Sequence, residues 1–206
     1  MQNELQKVII LGSGGHAKSC IDIASRMNGI IIIGCLDNEK TIGTLVCGVK
    51  VVGSDERILE FTDKETNFII GVGQIRTPAS RISLFNKILE NQGVLQNVVA
   101  SSALISSNAT LGRGVTIMEG AKIGPNVTLG DGVIINTNAI IEHDSVIDEF
   151  CHVSTGAIIN GGCQIGKGTF IGSGTVVKQK IRIGANCIIG MQQSIKNDLV
   201  HGSIVK

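Results

Sequence analysis

The residues best suited to chemistry lie around a histidine that stands between two acids. His143 follows Glu142 and precedes Asp144. A neutral imidazole can accept a proton near neutral pH, and a neighbouring carboxylate can orient the ring, so this group suits general base catalysis. Neighbours on a straight strand face opposite sides, but a corner of the chain relaxes that separation. Which acid serves His143 is therefore open, and a solvated histidine on an outer face is the alternative for the whole group.

A second candidate site is a glycine-rich turn near the start of the chain. The apolar run Lys7–Leu11 leads into the turn, and a helical pattern follows it. This order predicts the front half of a nucleotide-binding unit, in which phosphate lies at the helix N-terminus and an acidic residue after the second strand contacts a ribose or base. Glycines that merely fit a strand-to-helix turn are the alternative. The candidate ligand-binding residues are Gly12, Ser13, Gly14, Gly15, His16 and Asp37.

The element that must position His143 is a six-residue repeat. From Ile105 to Ile195 an aliphatic residue occupies every sixth position, and a mostly small residue stands two positions earlier. Neither a helix nor a lone strand has this period, so the pattern predicts a parallel β-helix with three repeats in each coil and about five coils. The fold class is therefore an α/β Rossmann-like domain over residues 1–102, followed by an all-β parallel β-helix over residues 103–206.

The repeat also predicts which residues are neighbours. Gly161 follows His143 by eighteen residues, which is one coil, so it should lie directly beside the histidine. His152 is half a turn away from His143 and belongs to a different part of the coil. Several glycines directly follow an aliphatic position, where we expect a corner to need the conformational freedom of glycine.

Composition argues against several functional classes. A formal charge of +1 gives no electrostatic case for binding nucleic acid or an anionic membrane. No signal segment and no apolar run of membrane-spanning length is evident, so a cytoplasmic protein is expected. The six cysteines lack CxxC spacing, which indicates neither a zinc site nor a redox pair. Cys151, Cys163 and Cys187 share the small inward slot of the repeat, so we expect free thiols in the core.

The two domains together resemble the left-handed β-helix acyltransferases, and in particular the bacterial sugar acetyltransferases of the NeuD/PglD type. The glycine turn, the segment Asn136–Asp144 and the segment Cys151–Ser154 carry this resemblance, which covers nearly all of the chain. It implies a left-handed coil, a homotrimer with active sites at subunit boundaries, and acetyl-CoA as co-substrate without a metal. The ending Leu199–Lys206 departs from the resemblance, because it lacks the Gly-x-Pro-Ala-Lys sequence common in such enzymes.

The resemblance also implies roles for individual residues. His143 would be the general base, oriented by Asp144 or Glu142, while Asn136 and His152 would line the site. Gly161 would sit beside the acetyl group, leaving room for the thioester and exposing an N–H for the oxyanion. If His143 and His152 serve one site, they should come from different subunits. The glycine turn and Asp37 would bind the sugar nucleotide.

The predicted function is acetyl-CoA-dependent N-acetylation of a nucleotide-linked 4-amino sugar, with UDP as the expected nucleotide, in bacterial surface-glycan biosynthesis. O-acetylation of sialic acid is the alternative within the family. A non-catalytic trimeric scaffold that binds a sugar nucleotide is an alternative of another class. A metal hydratase on the same coil would need three converging histidines, and the β-helix offers only His143 and His152 before the tail.

Overall fold

The protein consists of two compact units. A computed structural model describes residues 5–62 and 65–206. The first unit comprises residues 1–73 and 79–101, and the second comprises residues 74–78 and 102–206. None of the helices in the described ranges combines the length and apolar character that a membrane crossing requires.

The first unit is an α/β layer around a mixed sheet. Its elements in chain order are β1 (Gln6–Leu11), α1 (Gly15–Ala24), β2 (Ile30–Leu36), β3 (Leu45–Val46), β4 (Val49–Gly53), a 3-10 helix (Asp55–Arg57), α2 (Ile58–Thr62), β5 (Thr66–Ile70), α3 (Ala79–Glu90), β6 (Val94–Leu95) and β7 (Val98–Val99). The first six strands form one sheet in the order β3-β4-β2-β1-β5-β6. Neighbouring strands run parallel except β3 and β4, which form an antiparallel hairpin at the edge.

The centre of this sheet determines where a crevice for a ligand would form. Strand β1 pairs with β2 on one side and with β5 on the other, so the chain order reverses beside it. In open parallel sheets, a crevice for ligands forms at the carboxyl ends of the strands where this reversal occurs. The last four residues of β1, Val8–Leu11, are fully buried, and the glycine turn follows them directly. This arrangement confirms the predicted Rossmann-like unit.

The second unit is a parallel β-helix of two-residue strands. They are β8 (Leu104–Ile105), β9 (Thr110–Leu111), β10 (Thr116–Ile117), β11 (Lys122–Ile123), β12 (Thr128–Leu129), β13 (Ile134–Ile135), β14 (Ile140–Ile141), β15 (Val146–Ile147), β16 (His152–Val153), β17 (Ile158–Ile159), β18 (Gln164–Ile165), β19 (Phe170–Ile171), β20 (Val176–Val177), β21 (Arg182–Ile183), β22 (Ile188–Ile189), β23 (Ser194–Ile195) and β24 (Ile204–Val205). Every third strand joins the same sheet, which gives three faces.

The pairing confirms the predicted register. Ile123 of β11 pairs with Ile141 of β14, which pairs in turn with Ile159 of β17, so each coil advances eighteen residues. Only the last coil is shorter. Leu199 bridges to Ile183, and β24 pairs with β22 with an offset of sixteen residues. The atypical tail therefore continues the coil after a two-residue contraction.

The core of the β-helix is a ladder of aliphatic side chains with small residues between them. Isoleucines such as Ile117, Ile135 and Ile171 are fully buried, and each contributes about 1.5–3 kcal/mol relative to an exposed side chain. The three cysteines of the small slot are buried free thiols, as predicted. The polar residues in that slot form hydrogen bonds. Thr169 Oγ1, for example, donates a hydrogen bond of 2.9 Å to the carbonyl of Gly184.

The glycines that directly follow an aliphatic position do not provide the conformational freedom that was predicted for them. The left-handed backbone conformation occurs three residues after the aliphatic position, for example at Asn126 and Gly162, and not at the glycines that follow it directly. At Gly124, a Cβ atom would lie 2.8 Å from the backbone nitrogen of His143 in the next coil. At Gly130, it would lie 2.6 Å from the nitrogen of Glu149. These glycines permit the close approach of neighbouring coils.

Candidate active site

His143 lies at an exposed corner of the β-helix, between β14 and β15. Its Nδ1 is 2.8 Å from Oδ2 of Asp144, and the two side chains are 60% and 58% exposed. Asp144 has a φ of 58°, in the left-handed region, and the corner thereby lets adjacent side chains meet. The Glu142 carboxylate has no hydrogen-bond partner among the described residues. Asp144 is thus the acid that contacts the ring.

The contact with Asp144 defines the state of the imidazole. A carboxylate accepts hydrogen bonds, so the ring donates from Nδ1–H and leaves a lone pair on Nε2. Within the part of the chain that the structure describes, Nε2 has no partner. The hydrogen bond from His143, together with one from Asn126, keeps the pKa of Asp144 below its ordinary value. Asp144 is therefore ionised at neutral pH and would stabilise a protonated ring.

Gly161 lies directly against the free nitrogen of His143. A Cβ atom at Gly161 would be 2.6 Å from both Cε1 and Nε2 of the ring. The N–H groups on either side of it are occupied, since Asn160 donates to the carbonyl of Val177 and Gly162 donates to that of His143. The N–H of Gly161 donates to no group among the described residues. The corner therefore combines a proton acceptor, a free N–H donor and a residue without a side chain.

His152 belongs to a different environment. Its ring is buried, and Nδ1–H donates a hydrogen bond of 2.7 Å to the carbonyl of Gln74. Nε2 lies 3.3 Å from Nδ2 of Asn136 and is therefore the acceptor. The edge of the ring meets Phe170, with centroids 5.2 Å apart. Both ring nitrogens are engaged, so within one chain His152 anchors the segment 74–78 to the β-helix.

The predicted residues of the β-helix thus form two groups. Gly161 and Asp144 surround His143 at the corner that follows the sheet of β14 and β17. Asn136 and His152 contact each other beside β16, which belongs to another face. A shallow groove adjoins the first group on its N-terminal side. Its lining residues include Leu104, Lys122, Ile123, Pro125, Ile141 and Glu142.

In the first unit, the glycine turn leaves room at the start of α1. Gly12 has a φ of 96°, and a Cβ atom there would lie 2.9 Å from Val72, so the turn itself requires glycine. At Gly14 and Gly15, a Cβ atom would meet nothing within 4 Å, and neither has a positive φ. Helix α1 has no side-chain cap and no acidic residue in its first turn. Its N-terminal N–H groups therefore favour an anion.

The remaining predicted residues of this unit flank the turn. Ser13 Oγ donates a hydrogen bond of 2.5 Å to Asp37 Oδ2, and the N–H groups of Glu39 and Lys40 donate to Oδ1 at 2.9 Å. Burial disfavours ionisation of Asp37, but these hydrogen bonds outweigh it and lower its pKa. His16 lies in the first turn of α1 beside Gly73, close enough that a Cβ on that glycine would be 3.3 Å from its own.

Two polar residues near these sites were not found from the sequence. Lys40 Nζ donates a hydrogen bond of 3.2 Å to the carbonyl of Ser13, which places a cation at the glycine turn. Asn126 hydrogen-bonds to Asp144. Asn126 could have been found by counting one coil back from Asp144, as one coil forward from His143 gives Gly161. The structure brings together no group of three or more His, Cys, Asp or Glu residues that could hold a metal, within residues 5–62 and 65–206.

Family profiles match both units. The profile of the PglD N-terminal domain matches residues 7–88, and that of the bacterial transferase hexapeptide (six repeats) matches residues 162–192. A search of curated proteins gave no match.

Several solved structures share the whole fold. A His-to-Asn variant of perosamine N-acetyltransferase from Caulobacter crescentus, in complex with CoA and GDP-perosamine, is 30% identical with a TM-score of 0.89, over 96% of this chain and 92% of that one. The acetyltransferase domain of PglB from Neisseria gonorrhoeae, in complex with acetyl coenzyme A, is 27% identical with a TM-score of 0.91, over 97% and 95%. WeeI from Acinetobacter baumannii shows the same fold at 19% identity and a TM-score of 0.79, over 98% and 97%.

The fold and the corner site define a hexapeptide-repeat acyltransferase with an N-terminal α/β domain. The chain belongs to the family of PglD/NeuD-type sugar acetyltransferases. It is accordingly an acetyl-CoA-dependent sugar acyltransferase.

Proposed function

We propose that the protein transfers the acetyl group of acetyl-CoA to the 4-amino group of a nucleotide-linked sugar in bacterial surface-glycan biosynthesis. The observation that carries this proposal is the corner where Nε2 of His143 faces Gly161 and has no partner among the described residues. Such a nitrogen can take the proton that an amine loses on acylation. The similarity to an enzyme solved with CoA and GDP-perosamine supports an amino-sugar acceptor.

The residues at the corner have complementary tasks in a direct transfer. Acetyl-CoA supplies a thioester whose C–S bond breaks as the amine forms a C–N bond to the same carbon. His143 Nε2 accepts the amine proton, and ionised Asp144 stabilises the resulting positive ring. The free N–H of Gly161 donates to the carbonyl oxygen as negative charge develops there. The proton on His143 then passes to the CoA sulfur, which leaves as a thiol.

We assign the groove beside His143 to the acceptor sugar. Glu142 and Lys122 contribute opposite charges to its lining, whereas Ile123 and Ile141 contribute apolar surface. In this assignment Glu142 binds the acceptor instead of orienting His143.

In the first unit, the open glycines and the N-terminus of α1 suit a nucleoside diphosphate. Gly14 and Gly15 leave space for phosphate oxygens, and Lys40 adds a positive charge next to Ser13. Asp37 follows β2, where it would contact the nucleoside, because such units place an acidic residue there. UDP is the nucleotide predicted from the sequence, whereas the relative from Caulobacter crescentus was solved with a GDP-linked sugar.

A homotrimer with sites at subunit boundaries belongs to the same proposal. The sheet of β8, β11, β14, β17, β20 and β23 presents Leu104 and Val176 outward, exposed by 64% and 38%. Apolar side chains on an outer face favour association with another copy. Light scattering after gel filtration measures the mass; a monomer would contradict the shared site.

The decisive experiment is an acceptor panel. The purified protein is incubated with acetyl-CoA and, in turn, UDP- and GDP-linked 4-amino sugars, the corresponding 4-hydroxy sugars and sialic acid. Release of CoA thiol and the product mass are measured. We expect turnover of a 4-amino sugar and none of its hydroxy counterpart. Turnover of sialic acid alone would replace N-acetylation by O-acetylation, and binding without turnover of any acceptor would favour the scaffold.

His143→Ala tests the base. Because the side chain is 60% exposed, the variant should keep the melting temperature and oligomeric state of the parent while kcat falls by at least about 10³-fold. Unchanged turnover would remove His143 as the base. His201→Ala, which changes an exposed histidine of the tail, is the matched control and should leave kcat unaltered.

A further inference from the structure

Asn126 forms the outer end of a hydrogen-bonded chain that leads to the catalytic ring. It stands one coil before Asp144, and its Nδ2 donates to Oδ1 of Asp144 at 3.1 Å. The other carboxylate oxygen, Oδ2, accepts from His143 Nδ1 at 2.8 Å. Each oxygen of Asp144 therefore has its own donor, and the three side chains are connected in the order Asn126, Asp144, His143.

The exposed position of the pair makes such a support necessary. Asp144 and His143 are each more than half exposed, so neither is held in place by packing. A hydrogen bond between two exposed side chains is weakened by competition from water and by the motion of the side chains. A second hydrogen bond to the carboxylate restricts one of those motions, because the carboxylate group can no longer rotate freely.

The β-helix backbone makes this support geometrically regular. Asn126 and Asp144 both adopt the left-handed conformation, with φ values of 57° and 58°. The N–H of Asp144 donates to the carbonyl of Pro125 at 3.1 Å, which ties the two corners together. Because the backbones repeat from coil to coil, their side chains leave the corner in parallel and at hydrogen-bonding separation.

We infer that Asn126 is a positioning residue for the reaction: it fixes the Asp144 carboxylate so that His143 keeps its proton on Nδ1 and presents Nε2 to Gly161. This inference rests on the proposed function, in which His143 is the base. Asn126 itself does not touch the reacting atoms in that scheme.

The other groups at this corner do not supply the same support. The coil before the pair contributes Gly124 and Pro125 beside Asn126, and the coil after it contributes Gly161 and Gly162, none of which is charged. At this corner of the coil that holds the pair, the charged side chains are those of Glu142 and Asp144, and the carboxylate of Glu142 has no partner among the described residues. Asn126 is thus the donor that holds Asp144 from outside the pair.

Two substitutions separate this role from a structural one. Asn126→Gly keeps the left-handed backbone at no steric cost and removes the amide. Asn126→Asp also tolerates that backbone but places a second carboxylate against Asp144. Asn186→Gly is the matched control, because Asn186 has a φ of 53° at a different corner of the same β-helix.

The kinetic outcome is specific. With the amino-sugar acceptor, Asn126→Gly should lower kcat about tenfold and change both KM values less than about twofold, because orientation of the base is lost while binding is kept. Asn126→Asp should move the acidic limb of the kcat/KM profile to higher pH by about 0.5–1 unit, because the added negative charge favours the protonated ring. Asn186→Gly should match the parent in kcat and in the pH profile.

The tautomer of the His143 imidazole provides an independent measurement. With 15N-labelled histidine, long-range proton–nitrogen spectra of the full-length protein distinguish the Nδ1–H from the Nε2–H form of His143, and His143→Ala assigns its signals. We expect the parent to show the Nδ1–H form and Asn126→Gly to show a mixture. Unaltered kcat together with an unaltered tautomer in Asn126→Gly would overturn the positioning role. If instead His143→Ala retains full activity, the proposed role of His143 as the base is wrong. The tautomer of His143 in Asn126→Gly then still shows whether Asn126 orients the ring.

Discussion

Gly161→Ala tests the contact between the glycine and the imidazole ring of His143. The added Cβ would lie 2.6 Å from Nε2 and Cε1 of His143, so the ring must move by about 0.8 Å to reach an ordinary contact of 3.4 Å. The backbone itself accepts a side chain at this place in the repeat, since Ala185 and Ser173 occupy the equivalent position. The strain is therefore confined to the histidine.

The consequence should be large for activity and small for stability. A misplacement of about 1 Å at a reacting group can cost on the order of 100-fold in rate, so we expect kcat to fall by that factor. The exposed ring can rotate away into solvent, so the melting temperature should change by less than about 2 °C. The rate of acetyl transfer is measured from the release of CoA thiol at saturating substrates. Thermal unfolding is measured by circular dichroism.

Three results bear on this reasoning. In a His143→Ala background the alanine at position 161 has no ring to displace, so the residual rate should not fall further. A Gly161→Ala protein with more than half of the parental kcat would refute the argument, because it would mean that Nε2 need not lie against that glycine during transfer. A melting temperature lowered by 10 °C or more, on the order of the effect of a core substitution, would show that the clash is with the coil itself.

Three further predictions follow from the geometry. Gly15→Ala should leave the stability of the protein equal or higher, since the added Cβ meets nothing within 4 Å. In steady-state kinetics it should raise the KM of the nucleotide sugar about tenfold. An unchanged KM would favour a purely structural turn. His152→Ala should lower the free energy of unfolding by about 2–4 kcal/mol in urea, because it strips a hydrogen bond from the carbonyl of buried Gln74; a loss below about 0.5 kcal/mol would contradict the anchoring role. Ser13→Ala should cost about 1.5 kcal/mol at pH 7. Because the pKa of Asp37 is lowered in the folded state, that difference is present above the ordinary carboxyl pKa and should disappear as pH falls through the folded value. A difference that persists once Asp37 is protonated in the folded protein would exclude Asp37 as its source.

Much of the fold was readable because a β-helix is nearly one-dimensional. Each coil contacts only its neighbours, so a constant period fixes every pairing, and Ile123, Ile141 and Ile159 stack as the sequence predicts. The six-residue period stops predicting the pairing only after Ile195. The two-residue contraction before Leu199 is not visible in the hydrophobic pattern. The glycine turn was readable for a different reason, since strand, glycines and helix succeed one another within a short stretch.

The choice between acids depended on a backbone angle. Glu142 and Asp144 both adjoin His143 in sequence, but only Asp144 has the left-handed φ that turns its carboxylate towards the ring. A repeat pattern specifies where a corner lies and does not specify which corner residue adopts that conformation. The same limit explains the glycines after the aliphatic positions, which relieve contacts between coils instead of relaxing φ.

The sequence by itself determined the β-helix, its register and the neighbourhood of His143 and Gly161, because a repeat of constant length converts residue numbers into positions. The tertiary structure decided what each polar atom does. His152 and Gln74 are separated by 78 residues, and only the folded chain shows that their hydrogen bond occupies Nδ1 of that histidine. His143 keeps a free Nε2 because no such segment covers its corner within the described chain. Hydrogen bonds and burial, which depend on contacts between distant residues, thus separate a structural histidine from a candidate base.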